Sequence, residues 1–510
     1  MSLGQSLNIS LNSLKNNQYA LSVVSHNIAN MNTEGYTRKR VDFEESIIGN
    51  YGTDVYSRIK SLNGSTIAGL TDYMDEAALG NIRDANSDAE YYNALADAIG
   101  GLEDLNDALG DNGLNAVLND FYAAAANLEQ FPDDLTIRQQ YVMAAENVCD
   151  KFNEVYKAYD KYQQSMISDT QDGVDVVNNL LSQIADANKT YLNNGRDSSA
   201  LNSTYGLIEQ LSSYVDVTTD KNANGTINVY IGDIKVVQGN KVNYTLDMKS
   251  DTSGNSDNVV SFSLKSTTDE DYVISNGVND FFHKGKFGAN VEFLNGTNKS
   301  YYNIDDMKNA LNNAANAFAT EINKIQTYDD GVKFAASITT VDGVNILEKA
   351  TVDMFTSKNG GELNASNMEV NSQIKDNVFL VSAARIDLSK YEEGSDEWKY
   401  AVGNSSNATE ITDLQNKRIC DYGGEEDNCT LSDFLASLAA KTGMDAAGLG
   451  NKAQAYQDIL DSAKDNYSNM TGVNIDEEIA DMLKFQRAYE ASARVFAAVN
   501  SLYDVIFGMV

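Results

Sequence analysis

The chain has one proline, two histidines and three cysteines in 510 residues, and 38 basic residues stand against 74 acidic ones. Each shortage removes a class of chemistry. His26 falls in a helical stretch among polar residues and reads as a surface or interface side chain. His283, in Phe281-Phe282-His283-Lys284-Gly285, reads as exposed in a loop, so neither histidine looks like a base or a metal ligand. HExxH, GxSxG, Walker A and GxGxxG patterns are missing as well. The cysteines form no CxxC pair, which removes the usual structural zinc site. Cys149 lies in a helical pattern and reads as a small apolar packing residue. Cys420 and Cys429 bracket the acidic loop Asp421 to Asn428. A disulfide in an oxidising setting and two free thiols both fit, because sequence separation says nothing about geometry. No cofactor and no metal is called for.

The net charge of −36 opposes binding to nucleic acid, whose phosphates need a Lys/Arg surface. It also opposes adhesion to anionic lipid. It favours solubility and mutual repulsion of free subunits. No run of about 18 apolar residues is present, so no transmembrane helix is expected. The N-terminus shows neither the basic n-region nor the apolar h-region of a cleavable signal peptide. Acidic pairs such as Asp133/Asp134 and Asp329/Asp330 are what so acidic a chain must contain. They lend nothing to a two-carboxylate glycosidase. The run Asp269-Glu270-Asp271 lacks the spacing and the glycine of an EF-hand.

What is present in abundance lies at the two ends. Leu7, Leu11, Leu14, Gln18, Leu21, Ser25 and Ile28 alternate at four and three residues, the rhythm of a coiled-coil seam. Ile475, Ile479, Met482, Gln486, Tyr489, Ala493, Phe496, Asn500, Tyr503, Phe507 and Val510 keep the same rhythm to the last residue. Asn474 can cap this second helix, with Glu477 in capping-box position. Asp476, Glu477 and Glu478 suit the positive end of its dipole. Either stripe alone fits an amphipathic core helix. Both are terminal, where domains fray, and both are seams rather than broad faces. Neither is basic enough for a membrane-surface helix. They read as helices that pair with each other and with copies of themselves, loosely helical until neighbours cover them.

The interior predicts a mainly α fold with β-rich insertions: a terminal coiled-coil pair, a long helical bundle and smaller β-rich outer regions. Residues 1–60 and 472–510 form the terminal coiled-coil domain with an extended segment. Residues 61–214, 300–330 and 430–471 form the bundle. Residues 215–299 are a small β-rich insertion, and 331–429 a mixed outer region. Gly100-Gly101 and Gly110-Asp111-Asn112-Gly113 read as helix stops, and Pro132 as a turn. A stripe from Ile137 to Tyr162 is one long helix, and a second covers Val174 to Tyr191. Val215 to Ile231 alternates at period two around Asn222-Ala223-Asn224-Gly225, a hairpin signal. Met307 to Ile325 is helical again.

Several stretches carry a family resemblance. Ser25-His26-Asn27-Ile28-Ala29-Asn30, then Thr33-Glu34-Gly35-Tyr36-Thr37-Arg38, resembles the signature shared by flagellar rod, hook and hook-associated proteins. Its turn rests on Asn27, Asn30, Thr33, Gly35 and Tyr36, with Glu34 where the family usually has proline. Gly472 to Glu478, followed by Phe485-Gln486-Arg487-Ala488-Tyr489 to Val495, resembles the end of axial proteins, most of all the FlgK type. Gly113 to Phe121, Leu128, Pro132 and Arg138, then Ile184 to Asn188 and Val215 to Gly232, resemble the FlgK helical domain. The resemblance implies a structural protein and not an enzyme. Such a protein is exported through the flagellar type III channel without a cleaved signal, with a cytoplasmic chaperone on the C-terminal region. Outside the cell it forms a ring of its own copies on the hook protein and seats the second hook–filament junction protein and flagellin. Leu7, Leu11, Leu14, Leu21 and Ile28 are then expected to meet Ile475, Ile479, Met482, Tyr489, Phe496, Tyr503 and Phe507 in the inner tube. Another axial protein, hook or rod, and a secreted adhesin using the β-rich centre are the alternatives.

Overall fold

A computed structural model describes residues 3–33, 36–48, 61–72, 74–106, 113–194, 198–251, 259–269, 271–274, 281–298, 300–392, 395–422 and 425–507. It is mainly helical. In chain order come α1 (Leu3–Ala29), β1 (Lys39–Ile48), β2 (Ser61–Asp72), α2 (Glu76–Asn106), α3 (Leu114–Gln130), α4 (Leu135–Asn193) and α5 (Ser198–Ser212). The β-rich part follows: β3 (Val217–Lys221), β4 (Ile227–Ile231), β5 (Ile234–Gln238), β6 (Lys241–Val242), β7 (Tyr244–Ser250), β8 (Val260–Ser266) and β9 (Val273–Ile274). Then come α6 (Gly285–Asn295), α7 (Ile304–Gln326), β10 (Lys333–Val341), β11 (Val344–Lys349), β12 (Phe355–Ser357), β13 (Met368–Val370), α8 (Ser372–Asp376), β14 (Ala384–Asp387) and α9 (Ser406–Asp413). The chain closes with β15 (Cys420–Tyr422), β16 (Glu425–Cys429), α10 (Leu431–Thr471) and α11 (Ile475–Phe507).

The spine is α4, 59 residues long, which at about 1.5 Å per residue spans roughly 90 Å. Its start is set by the turn at Pro132 and by Asp134, whose carboxylate accepts the Thr136 and Ile137 amides at 2.7 and 3.1 Å. Tyr141, Ala145, Val148, Phe152, Val155 and Tyr159 return every three or four residues and are all buried. Further along, Val177, Leu181, Ile184 and Asn188 extend the stripe under the β-rich part.

Two expectations change. The helix read as starting near Val174 is the second half of α4, which runs through Gly173 without a break. A Cβ at Gly173 would come 2.8 Å from the Phe287 ring, so this glycine is a packing notch. Gly100-Gly101 does not stop a helix either, since α2 continues to Asn106. A Cβ at Gly101 would run into the Tyr162 ring, whose hydroxyl donates to the Ala98 carbonyl at 2.9 Å. Tertiary contact outweighs the intrinsic helix cost of glycine, about 1 kcal/mol. The expected stop at Gly110–Gly113 lies largely outside the described residues. Gly113 stands at the N-cap of α3.

The β-rich insertion comprises a four-stranded sheet, β3-β4-β5-β6, and a three-stranded one, β7-β8-β9. The hairpin at 222–225 is as the sequence predicts: Gly225 has φ +91° and Asn224 accepts the Thr226 amide at 3.1 Å. Two asparagines of α4 bind the sheets to the spine. Asn188 donates to the Ile227 and Gly239 carbonyls at 2.8 Å and accepts the Ile227 amide at 3.0 Å. Asn178 exchanges two such bonds with Leu246, both 2.8 Å.

The outer region has a small core of its own, Phe334, Ile338, Leu347 and Ile386, capped by Trp398. Arg138 joins it to the bundle. The side chain is 1 % exposed and donates to the carbonyls of Pro132 (2.6 Å) and Val381 (2.7 Å). Burial lowers its pKa to about 10, which leaves it charged at neutral pH.

Candidate functional site

The two ends of the chain lie antiparallel. A Cβ at Gly4 would be 3.1 Å from the Tyr503 hydroxyl, Ser13 and Ser492 share a hydrogen bond of 2.8 Å, and Asn27 reaches Glu478 at 3.0 Å. The sequence leads one to expect ends that pair with each other but stay loosely helical until neighbours cover them; in the structure both are long helices already paired within one chain, and the β1–β2 hairpin packs beside them. Ala20, Val23 and Val41 are buried together, against Ile67 and Phe485. Asn16 is buried because its amide donates to the Ser65 carbonyl of β2 at 2.6 Å.

The family turn is the centre of a polar latch. Asn27 is 1 % exposed. Its amide donates to the Lys39 carbonyl (2.8 Å) and to Glu478 Oε2 (3.0 Å). Its oxygen accepts the Lys39 amide (3.1 Å) and the Tyr36 hydroxyl (2.8 Å). His26 Nδ1 stands 2.9 Å from the same hydroxyl. Asn30 donates to the His26 carbonyl at 2.8 Å and its own carbonyl accepts the Thr33 amide at 2.9 Å, which closes the turn. Gly35 lies outside the described residues.

From the other side of the turn, Arg38 completes the latch. It reaches Glu478 through Nε and Glu477 through Nη1, both at 2.6 Å, and Asp481 through Nη2 at 3.3 Å. Its backbone amide donates to the Thr471 carbonyl at 3.1 Å. Burial pulls the Arg38 pKa down, but its hydrogen bond and charge pairing with Glu478, then the charges of Glu477 and Asp481, outweigh this and raise it. Asn474 accepts the Asp476 amide at 2.9 Å, while the Glu477 carboxylate turns to Arg38. Where the latch meets the bundle, a cavity of about 820 Å³ opens between Thr33, Tyr36, Arg83, Asn202, Glu209 and Val473.

Each expected seam residue has a definite place. Leu7, Leu14, Leu21 and Ile28 are half-buried, and Leu11 is exposed. On α11, Met482, Phe496 and Tyr503 are half-buried, while Ile475, Ile479 and Tyr489 are exposed. The Phe507 side chain lies outside the described residues. Sequence reasoning missed Phe485, which packs with Ala20, Val23 and Val41, and Ser492, which bonds Ser13 of α1. It treated Glu478 as a helix-dipole charge, whereas the side chain is buried under Arg38. A signal was available: three carboxylates in a row at one chain end, and an arginine closing the signature at the other.

The rest of α11 faces outward. Ile475, Ile479, Leu483, Tyr489, Val495, Leu502, Val505 and Ile506 are between 39 and 56 % exposed. Large apolar side chains on several sides of one helix mark a surface that packs against other helices. No described helix is long and apolar enough to cross a membrane. Among the described residues no cluster of His, Cys, Asp or Glu has the make-up of a metal site.

Residues 99–334 match the family described as the flagellar hook-associated protein FlgK helical domain. The flagellar hook-associated protein 1 of Bacillus subtilis is 26 % identical over 530 residues, covering 96 % of each chain. Together these matches support a protein of the FlgK type of flagellar hook-associated proteins. FlgK-type relatives further away keep the whole length: hook-associated protein 1 of Salmonella typhimurium is 21 % identical with 99 % of each chain covered. The solved structure of the flagellar hook junction protein FlgK from Burkholderia pseudomallei covers 76 % of this chain and 98 % of its own, with TM-score 0.56 at 12 % identity, and so supports the fold. The ends match two other families: residues 7–37 the flagella basal body rod protein, and 464–509 the flagellar basal body rod FlgEFG protein C-terminal. Those two spans hold nearly the whole latch, Asn27 and Tyr36 in one and Thr471 to Asp481 in the other. Arg38 stands one residue beyond the first. The family places the chain among structural proteins of the flagellar axis, an appendage outside the cell.

Proposed function

We propose that this chain is a structural protein of the junction between flagellar hook and filament, and that α1 and α11 form its assembly surface. The observation that carries the reading is the exposed apolar set on α11 beside a latch that fixes α1 against it. The latch supplies each subunit with a preformed helix pair, and neighbouring copies cover Ile475, Ile479, Leu483 and Tyr489 on one side and Val495, Leu502, Val505 and Ile506 elsewhere. Burying one such side chain contributes roughly 1.5–3 kcal/mol, so a ring of copies gains where a single chain cannot. On this reading the hook protein lies below the ring, the second junction protein and flagellin above it, and an export chaperone covers α11 before the chain leaves the cell. No step of the work needs a catalytic group or a cofactor.

The test is a deletion strain of the source bacterium complemented with variants. Loss of the chain gives hooks without filaments and flagellin shed into the medium. Phe496→Asp gives the same picture while the purified protein keeps the melting curve of the wild type. Normal filaments on Phe496→Asp cells would remove the assembly role from α11. A hook or rod role is disfavoured by the FlgK helical-domain match over residues 99–334.

A further inference from the structure

Outside the latch, the pairing of β15 with β16 brings together two side chains that the assembly does not use. Cys420 and Cys429 are direct partners across this antiparallel pair. Directly opposed Cα atoms stand about 4.5–5.5 Å apart, inside the range of about 4.4–6.8 Å that a disulfide bridges. The Cys429 thiol points across the pair, donating to the Cys420 carbonyl at 3.4 Å. Cys420 is buried at 4 % exposure and Cys429 is half-buried at the rim. All three cysteines are thiols in this structure, and Cys149 is buried on α4.

We infer that Cys420 and Cys429 are an intramolecular disulfide site, closed by a small-molecule disulfide once the folded chain is outside the cell. The inference rests on the proposed function only in placing the chain away from cytoplasmic reductants. The Cys429 thiolate attacks a disulfide such as oxidised glutathione, expelling one glutathione thiolate and leaving a mixed disulfide. The Cys420 thiolate attacks the Cys429 sulfur of that intermediate and expels the second. Two protein thiols lose two protons and two electrons, one S–S bond forms, and one glutathione disulfide becomes two thiols. Burial, then the charges of Asp433 and Asp421, raises the Cys429 pKa and keeps the thiol protonated at neutral pH, so the exchange is slow.

The position gives the bond a consequence. The segment between the two cysteines is acidic in sequence, with Asp421, Glu425, Glu426 and Asp427. Thr430 follows Cys429 directly and caps α10, accepting the Asp433 amide at 3.2 Å. The other end of α10 is Thr471, whose carbonyl holds Arg38 in the latch. A closed hairpin therefore fixes one end of the helix whose far end carries the latch.

The experiment uses the full-length purified chain, incubated with oxidised glutathione, then denatured in an alkylating reagent and mapped by peptide mass. The expected product links Cys420 to Cys429, lacks two hydrogens and is alkylated only at Cys149. Its thermal midpoint lies above that of the reduced chain, and this oxidation response disappears in Cys429→Ser and in Cys420→Ser. Alkylation of both Cys420 and Cys429, or a glutathione adduct that stays on Cys429, overturns the inference. The measurement needs no assembled flagellum. A linked product together with normal filaments on the deletion strain would sink the junction role alone.

Discussion

The bundle and α11 are both helical, and the side chains they bury differ in kind. In the bundle, α4 encloses Tyr141, Phe152 and Tyr159 at no more than 1 % exposure. In α11, among the described residues, the one fully buried side chain is the carboxylate of Glu478, and the apolar side chains remain outside or half covered. The bundle is thus complete within one chain. The helix α11 is positioned by charge, by hydrogen bonds and by one small apolar cluster around Phe485, and most of its hydrophobic surface is exposed.

Graded substitutions would break or sharpen this contrast. The largest effect on the single chain belongs to the bundle: Phe152→Ala should cost about 3–5 kcal/mol, read as a lower denaturant midpoint. Val505→Asp, on an exposed position of α11, should leave that midpoint unchanged and abolish filaments in the complementation assay. Next is the latch. Arg38→Ala leaves Glu478 buried without its cation and Asn27 with an unsatisfied neighbour. A cost of about 1–3 kcal/mol should appear in α1 and α11 alone, as faster amide exchange there with the bundle unaffected. Equal loss of protection in α4 would show that ends and bundle are one cooperative unit.

Neighbouring glycines give an opposite-sign pair of about the same size. Gly101→Ala meets the Tyr162 ring and should destabilise by about 1–3 kcal/mol. Gly100→Ala has nothing within 4 Å of the new methyl and should stabilise by about 0.5–1 kcal/mol. The smallest change is at a helix start. Asp134→Ala removes the cap of α4 and should cost about 0.5–2 kcal/mol, while Asp133→Ala should be neutral; thermal melts of the pair decide it.

Periodicity carried the reading of the sequence where each residue's environment repeats along one helix, as in α1, α7, α11 and the first half of α4. Turn chemistry carried it at Asn222–Gly225, where a positive φ demands glycine. Both tools failed where a partner distant in sequence sets the outcome. Gly101 and Gly173 look like breaks until Tyr162 and Phe287 occupy the space a Cβ would take. Asn16 and Asn27 look like surface polar residues until Ser65, Lys39 and Glu478 satisfy them inside. The face that α11 turns to α1 lies to one side of the seam its rhythm draws: Phe485 packs beside Ala20, Val23, Val41 and Ile67, and Ser492 bonds Ser13.

The sequence by itself determined that both ends are helices with apolar surface to spare and that a helical bundle lies between them. Those properties follow from local spacing and backbone preference, which act over a few residues. Only the tertiary structure decided that Arg38 closes on Glu478, that Cys420 faces Cys429 and that α4 runs unbroken through Gly173. These depend on which distant groups come within a few ångströms of each other, and hydrogen bonding and packing act only at that range.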